Sequence, residues 1–175
     1  MTETVDTREL FDHLDETWHA LMNLVSSVPE TLVNKVPFAG SWTVAQLATH
    51  VTKSNNAIAQ GLDMKGTAAK RPADEGVLRL RKMFLNFDTK FQSPEFITPE
   101  NKEYSKEEVI THLENSIARL KNRRITADLC EVINMKVFSE ITKLELLHFV
   151  LYHTQRHIHQ LKNIIQKIEE KKTAE

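Results

Sequence analysis

Hydrophobic positions in this chain recur mainly at intervals of three and four residues, the spacing of one face of an α-helix. The first such stripe follows Thr7 and stops at Pro29, which predicts a helix from Thr7 to Val28. Its apolar face consists of Phe11, Leu14, Trp18, Leu21 and Val25. Sustained alternation with a period of two is not found in any stretch, so the pattern predicts an all-α chain.

The second helix is marked by the sequence "GSWTVAQLATHV". Thr43 and Gln46 have the spacing of a capping box, in which each side chain binds the backbone N–H of the other residue. Trp42 and Leu47 stand at the two positions of a hydrophobic staple around the same helix start. We therefore predict that this helix begins after Thr43 and continues to about Met64.

Two later helices have similar start signals. Ser105 is followed three residues later by Glu108, and Thr142 is followed three residues later by Glu145. Each pair is typical of a helix N-terminus that precedes an apolar periodic segment. The last helix is expected to run to about Glu170.

Residues 65–104 connect the second long helix to the third. Within them, residues 77–91 predict a shorter helix that ends before Pro94, and "SPEFITPENKEY" predicts a linker. Four long amphipathic helices with one long connection predict a four-helix bundle with a crossover. The 175 residues are expected to form a single domain, residues 1–175, which can bury about 70% of its unfolded surface and needs no metal merely to fold.

Composition narrows the function classes. The single cysteine, Cys130, cannot form an intrachain disulfide, no signal-peptide pattern opens the sequence, and no apolar run approaches membrane-spanning length. We therefore expect a cytoplasmic protein without membrane contact. Lys and Arg (23) nearly balance Asp and Glu (24), and the basic cluster at 121–124 stands at a predicted helix C-terminus, where the helix dipole favours cations. These features argue against nucleic-acid binding.

Candidate chemistry is concentrated in the last helix, where "LHFVLYHTQRHIHQ" contains four histidines. With 3.6 residues per turn, His153 and His157 fall on an inward seam, whereas His148 and His159 fall on the polar side. Imidazoles at i and i+4 rise about 5–6 Å apart on one face and can converge on one ion through metal–nitrogen bonds of about 2.0–2.1 Å. The alternative is a pair of buried histidines that bind backbone carbonyls or carboxylates.

A third inward histidine, His50, lies on the second helix. Its seam continues with small residues, which leave room either for a ligand pocket or for close helix packing. The members of this seam are Leu47, His50, Ser54, Ala57 and Gly61.

The segments "WTVAQLATHV" and "YHTQRHIHQ" resemble the signature of the DinB-like superfamily, one histidine on the second helix and an H-x3-H pair on the last, over nearly the whole chain. The resemblance implies an up-down-down-up four-helix bundle, often a homodimer. It also implies a divalent ion held by three histidines, which are here His50, His153 and His157.

Three histidine ligands leave at least one coordination position open, which is typical of a catalytic ion. An ion with an open position can lower the pKa of bound water towards about 7 or can bind a thiol as thiolate. Zinc, nickel and ferrous iron all suit such ligands, and the sequence does not choose among them. We expect Gln160, one turn beyond His157, to orient either a metal-ligating histidine or a substrate. Tyr152 and Arg156 are expected to be surface or packing residues.

Two hypotheses of function follow. The resemblance includes thiol transferases that act with bacillithiol, mycothiol or glutathione, although no motif here identifies a low-molecular-weight thiol. The first hypothesis is therefore a metal-dependent transferase or hydrolase that acts on a small molecule. The second is a noncatalytic metal-binding bundle that serves dimerisation or partner binding.

Overall fold

The computed structural model describes residues 6–174 and confirms the predicted four-helix bundle. Two 3-10 turns, Glu30–Leu32 and Glu95–Ile97, lie in the connections. The helices in chain order are α1 (Arg8–Ser27), α2 (Val44–Asp63), the short α3 (Val77–Phe84), α4 (Lys106–Thr126) and α5 (Lys143–Ala174). None of the helices in residues 6–174 is long and apolar enough to cross a membrane. The assignment of residues 1–175 to a single domain stays a prediction.

The helix starts follow from local sequence. At α2 the N–H of Gln46 donates to Thr43 Oγ1 (3.1 Å), and the N–H of Thr43 donates to Gln46 Oε1 (3.0 Å). The same reciprocal pair opens α5, where Thr142 and Glu145 bind each other at 3.0 and 2.9 Å. Ser105 caps α4. Because these bonds satisfy otherwise orphaned N–H groups, they fix where each helix begins.

Contacts along α2 show how it runs against its neighbours. Asn55 Nδ2 donates to Ser116 Oγ of α4 at 3.1 Å, and further along both helices Asp63 pairs with Arg123. The residue numbers of the contacting residues therefore increase together along both helices, so α2 and α4 are parallel. On its other side, α2 is antiparallel to α5, because His50 faces His153 near its start whereas its C-terminal part faces the beginning of α5.

The basic cluster at the end of α4 completes the topology. Lys121 Nζ lies 2.9 Å from Asp15 Oδ1 of α1, and Arg124 Nη2 donates to Asp15 Oδ2 at 2.8 Å. The C-terminal end of α4 thus meets the N-terminal half of α1, so these two helices are antiparallel. The four directions together are up, down, down and up, as the family resemblance implied. The cations of this cluster are bound by carboxylates of neighbouring helices; the absence of nucleic-acid binding stays a prediction.

The predicted helix at 77–91 is wrong in length, because α3 ends at Phe84. The guanidinium of Arg156, on α5, donates to the carbonyls of Phe84 (3.3 Å), Asn86 (2.8 Å) and Thr89. Carbonyls held in this way cannot all point along one helix axis. A cation 70 residues away in sequence therefore ends the helix and shapes the segment that follows.

A small antiparallel sheet was not predicted. Its strands are β1 (Thr67–Ala68), β2 (Glu131–Met135) and β3 (Ser139–Thr142), in the order β1-β2-β3. The strands are too short for period-two alternation to be visible, although Ile133 and Ile141 are paired across β2 and β3 and both are buried. The sheet joins the crossover to the hairpin between α4 and α5.

Glu145 anchors the crossover to the start of α5. Its buried carboxylate accepts two hydrogen bonds from Arg71, at 2.6 and 2.7 Å, and a further bond from the N–H of Gly76 at 2.6 Å. Burial by itself would raise the pKa of Glu145, but the bonds from Arg71, Thr142 and Gly76 outweigh burial and lower the pKa. The carboxylate is therefore ionised at neutral pH, and both of its oxygens accept hydrogen bonds.

We expect Gly66→Ala to destabilise the protein by about 1–3 kcal/mol, because overpacking has costs of this size. A Cβ at Gly66 would lie 2.7 Å from the backbone oxygen of Val132 and 2.7 Å from Cβ of Glu131, and neither can move without disturbing the β1–β2 pairing. Gly61→Ala is the matched control, since its Cβ would meet the flexible Met135 Sδ at 2.8 Å and alanine is favoured in a helix. Urea unfolding measures both variants. Equal losses would contradict the role assigned to Gly66.

Candidate metal centre

Three imidazoles converge between α2 and α5. His153 Nε2 lies 3.3 Å from His50 Nε2 and 3.0 Å from His157 Nε2. All three side chains are buried, and one ligand nitrogen from each lies within 4.8 Å of the others. The structure thus brings together the three residues predicted from sequence, His50 on one helix and the H-x3-H pair on the other.

The partners of His50 fix its tautomer. Nδ1 lies 3.0 Å from the carbonyl oxygen of Ile97 and 3.3 Å from Ser93 Oγ. A carbonyl oxygen can only accept a hydrogen bond, so Nδ1 carries the proton and donates it. The neutral ring then has its lone pair on Nε2, which points into the cluster.

His157 is held in the same way by Gln160. Its Nδ1 lies 3.0 Å from Gln160 Oε1, an acceptor, so the proton is again on Nδ1 and the lone pair on Nε2. Gln160 therefore occupies the position from which it would orient a ligating histidine. That role stays a prediction.

The cluster fits a divalent cation. Nε2 lone pairs of His50 and His157 both face Nε2 of His153, an arrangement that a shared cation makes favourable. Two nitrogens bound to one tetrahedral ion at about 2.0–2.1 Å lie roughly 3.3–3.4 Å apart, close to the observed 3.0 and 3.3 Å. The donor set is nitrogen, which suits zinc, nickel and ferrous iron.

Burial keeps the three imidazoles neutral. Desolvation lowers the pKa of His50, lowers that of His153 well below its usual value, and lowers that of His157 to about 3. The ring of His50 also disfavours a positive charge on His153 and on His157, although the Gln160 oxygen opposes the shift at His157. A metal needs unprotonated imidazole, so the fold holds the form that binds.

These pKa shifts predict how the stability of metal-free protein depends on pH. In the unfolded chain the histidines take up protons near pH 6.5, whereas folded His157 remains neutral down to about 3. The contribution of His157 to stability is therefore full above pH 6.5 and falls as the pH drops from 6.5 towards 3, by about 1.4 kcal/mol per pH unit. Urea unfolding of chelator-treated protein at pH 7 and pH 5 measures this loss.

His157→Gln is expected to flatten that pH dependence, because it removes one of the groups that protonate only on unfolding. His112→Gln is the control, since His112 is exposed on α4 and lies outside the cluster. A pH dependence that is the same in both variants would contradict the assignment.

The other two histidines of α5 lie outside the cluster. His148 is half-buried, with Nδ1 3.4 Å from the hydroxyl of Tyr152, whereas His159 is exposed and stacks on Phe87 with ring centroids 4.1 Å apart. Tyr152 is buried, as expected of a packing residue, and Arg156 holds the crossover. The face assigned to His159 by helical winding is confirmed, whereas His148 is less exposed than a position on the polar side implies.

Sequence reasoning missed the contribution of the predicted linker. Ile97 and Ser93 lie within or beside the 3-10 turn Glu95–Ile97, and both bind the ring of His50. The available signal was composition. Four of the eight phenylalanines fall between residues 84 and 96, an apolar density that a solvated linker would not have.

A cavity of about 630 Å³ opens onto the three histidines. Ser54 and Ala57, from the small-residue seam of α2, line it, whereas Gly61 approaches Met135 so closely that a Cβ would lie 2.8 Å from the sulfur. Both alternatives for this seam are therefore found: it lines a pocket at one end and packs closely against its neighbours at the other. The volume is within the range of small-molecule sites, about 300–1,000 Å³.

A helical bundle with a buried three-histidine cluster beside a cavity defines the class: a helical protein fitted to bind a metal ion. The chain belongs to the DinB superfamily, whose sequence model matches residues 13–161. It is 26% identical over 161 residues to the uncharacterized protein YuaE of Bacillus subtilis (strain 168), covering 88% of this chain and 93% of that protein.

The fold is also found in a solved structure. The chain is similar to TT2238, described as a four-helix bundle protein, with a TM-score of 0.58 and 21% sequence identity. The match covers 89% of this chain and 97% of TT2238. At this identity the similarity supports the fold alone.

Proposed function

We propose that this protein is a metal-dependent enzyme, a transferase or a hydrolase, that acts on a small molecule at the three-histidine centre. The observation that carries the proposal is the position of the cavity, which reaches His50, His153 and His157 directly. A purely structural ion is normally enclosed by four protein ligands. Here three ligands adjoin a space large enough for a substrate.

The residues of the chain have separate roles in this proposal. His50, His153 and His157 hold the ion, and Gln160 and the Ile97 carbonyl fix the rings through their Nδ1 protons. A divalent ion with an open position supplies Lewis-acid chemistry, which lowers the pKa of a water or a thiol bound there. A low-molecular-weight thiol is part of the proposal for the transferase only.

Two generic reactions test the proposal. Protein loaded separately with zinc, nickel or ferrous iron is assayed for hydrolysis of 4-nitrophenyl acetate and for conjugation of 1-chloro-2,4-dinitrobenzene to added thiols. We expect turnover in one assay that disappears with chelator and in His153→Ala. Protein that binds stoichiometric metal and shows no metal-dependent turnover in either assay would favour the noncatalytic alternative.

The noncatalytic alternative assigns the ion a structural role in joining α2 to α5. Far-UV circular dichroism with and without chelator at pH 7 separates the two. The apolar core does not include the histidines, so the enzyme proposal expects the helical signal to survive metal removal. Collapse of that signal would favour the structural role.

A homodimer and a cytoplasmic location are proposed on the family resemblance and on composition, respectively. Sedimentation at micromolar concentration tests the first. A clean monomer would count against the homodimer without affecting the metal centre.

A further inference from the structure

The cavity that meets the metal centre is largely aromatic. Seven of the eight phenylalanines in the chain line it, together with Trp42. Deep in the cavity, Phe149 stacks on His153, with ring centroids 4.8 Å apart, and Phe84 packs edge-on against Phe149 at 5.0 Å. The aromatic wall therefore continues without a break to the histidines.

The mouth of the same cavity is apolar as well as exposed. Four phenylalanines at the rim are between 44% and 56% exposed, namely Phe38, Phe87, Phe91 and Phe96. Exposed aromatic side chains around a concave site mark a binding surface rather than a solvated one. They come from the loop before α2 and from the crossover after α3.

The charges in the lining of the cavity favour an anionic ligand over a cationic one. Among the described residues that line it none is acidic, and the cationic ones are Lys90 and Arg156. The Arg156 guanidinium is already bound to crossover carbonyls and lies 4.7 Å from the centroid of the Phe91 ring. A divalent ion on three neutral imidazoles would keep its full double charge, so the inner end favours an anionic donor atom.

We propose that the cavity binds a small amphipathic molecule with an anionic metal-binding head and an aromatic body. The head would reach the three-histidine end, and the body would lie against Phe84 and Phe149 and extend to the rim. The inference of an anionic head depends on the metal centre of the proposed function, whereas the inference of an aromatic body depends on the aromatic wall alone. Cationic molecules are disfavoured, because a divalent ion at the histidines, Lys90 and Arg156 would all repel them.

Three soluble probes test the two ends separately by isothermal titration calorimetry on zinc-loaded protein. Benzohydroxamic and acetohydroxamic acids share one metal-binding head and differ by a phenyl ring, whereas benzamide retains the ring and lacks that head. We expect benzohydroxamic acid to bind at least about tenfold more tightly than acetohydroxamic acid, the effect of burying a ring. Benzamide is expected to bind equally to zinc-loaded and chelator-treated protein.

Rim variants locate the body. The double variant Phe38→Ser and Phe96→Ser is expected to bind benzohydroxamic acid less than about threefold more tightly than acetohydroxamic acid. Its affinity for acetohydroxamic acid is expected to be unchanged. Leu78→Ser combined with Ile125→Ser is the matched control, because these side chains are 60% and 72% exposed and lie outside the cavity. The control is expected to retain the full preference.

Tryptophan fluorescence gives a second readout. Trp42 lines the cavity with its ring centroid 4.9 Å from that of His50, whereas Trp18 is buried in the core and outside the cavity. Benzohydroxamic acid is expected to change the tryptophan emission of wild-type protein and to leave the emission of the Trp42→Phe variant unchanged. Emission changes that persist in Trp42→Phe would place the probe elsewhere and overturn the proposal.

The remaining outcomes are decisive as well. Equal affinity for the two hydroxamic acids would overturn the aromatic body while leaving the metal centre intact. If neither hydroxamic acid binds zinc-loaded protein and benzamide does, the anionic head is wrong and the aromatic site stands, whereas the turnover assays decide the proposed function separately. If the rim variant converts a dimer into a monomer by sedimentation and the hydroxamate preference does not change, the rim is an interface between copies, and the proposal is wrong.

Discussion

Alanine in place of His50, His153 or His157 is expected to reduce bound metal from about one ion per chain to nearly none at micromolar concentration. Each imidazole supplies one of three nitrogens that face a common point, and two ligands cannot hold the ion against competing water. Metal analysis of protein purified without an affinity tag measures the change. Because these histidines are not part of the apolar core, each variant is expected to remain helical.

Two other histidines on the same helix are the matched controls. His148→Ala and His159→Ala remove rings that the structure places outside the cluster, so both variants are expected to retain about one ion per chain. Metal loss in either control equal to that of His153→Ala would show that the cluster is not the binding site.

Glu145→Ala is expected to lower the free energy of unfolding by about 3 kcal/mol, the cost of breaking a buried ion pair. The Glu145 side chain is 3% exposed and that of Arg71 is 29% exposed, so solvent screens the pair only in part. The variant also leaves the N–H groups of Gly76 and Thr142 without their acceptor. Urea unfolding at pH 7 measures the loss.

Glu140→Ala is the control for this prediction, because Glu140 is an exposed residue of β3. It is expected to change stability by less than about 0.5 kcal/mol. Since Glu145 lies two turns before His153 and outside the cluster, metal content is expected to be unchanged in Glu145→Ala. A loss below 1 kcal/mol would show that the pair is not an anchor of the crossover.

The fold was predictable where its causes are local. The capping pair Thr43 and Gln46 lies within four residues, and helical winding alone turned His153 and His157 to the same inward face. Periodicity also turned His50 inward. It could not give the position of His50 along the bundle relative to His153, 103 residues away, and the family resemblance supplied that pairing.

Features determined by distant contacts were missed. The end of α3 depends on Arg156, and the orientation of His50 depends on the Ile97 carbonyl, so neither can be read from a local pattern. The strands are short, and their register comes from pairing between the crossover and the hairpin rather than from alternation. Each of these misses concerns a segment that connects helices.

The histidine cluster and the cavity wall are built from different kinds of structure. The three histidines belong to α2 and α5, whereas much of the wall comes from residues 84–97 and from the hairpin turn at 135–138. Connecting segments accept insertions and substitutions far more readily than packed helices. Substitutions in these segments can therefore change the shape of the cavity without altering the three histidines.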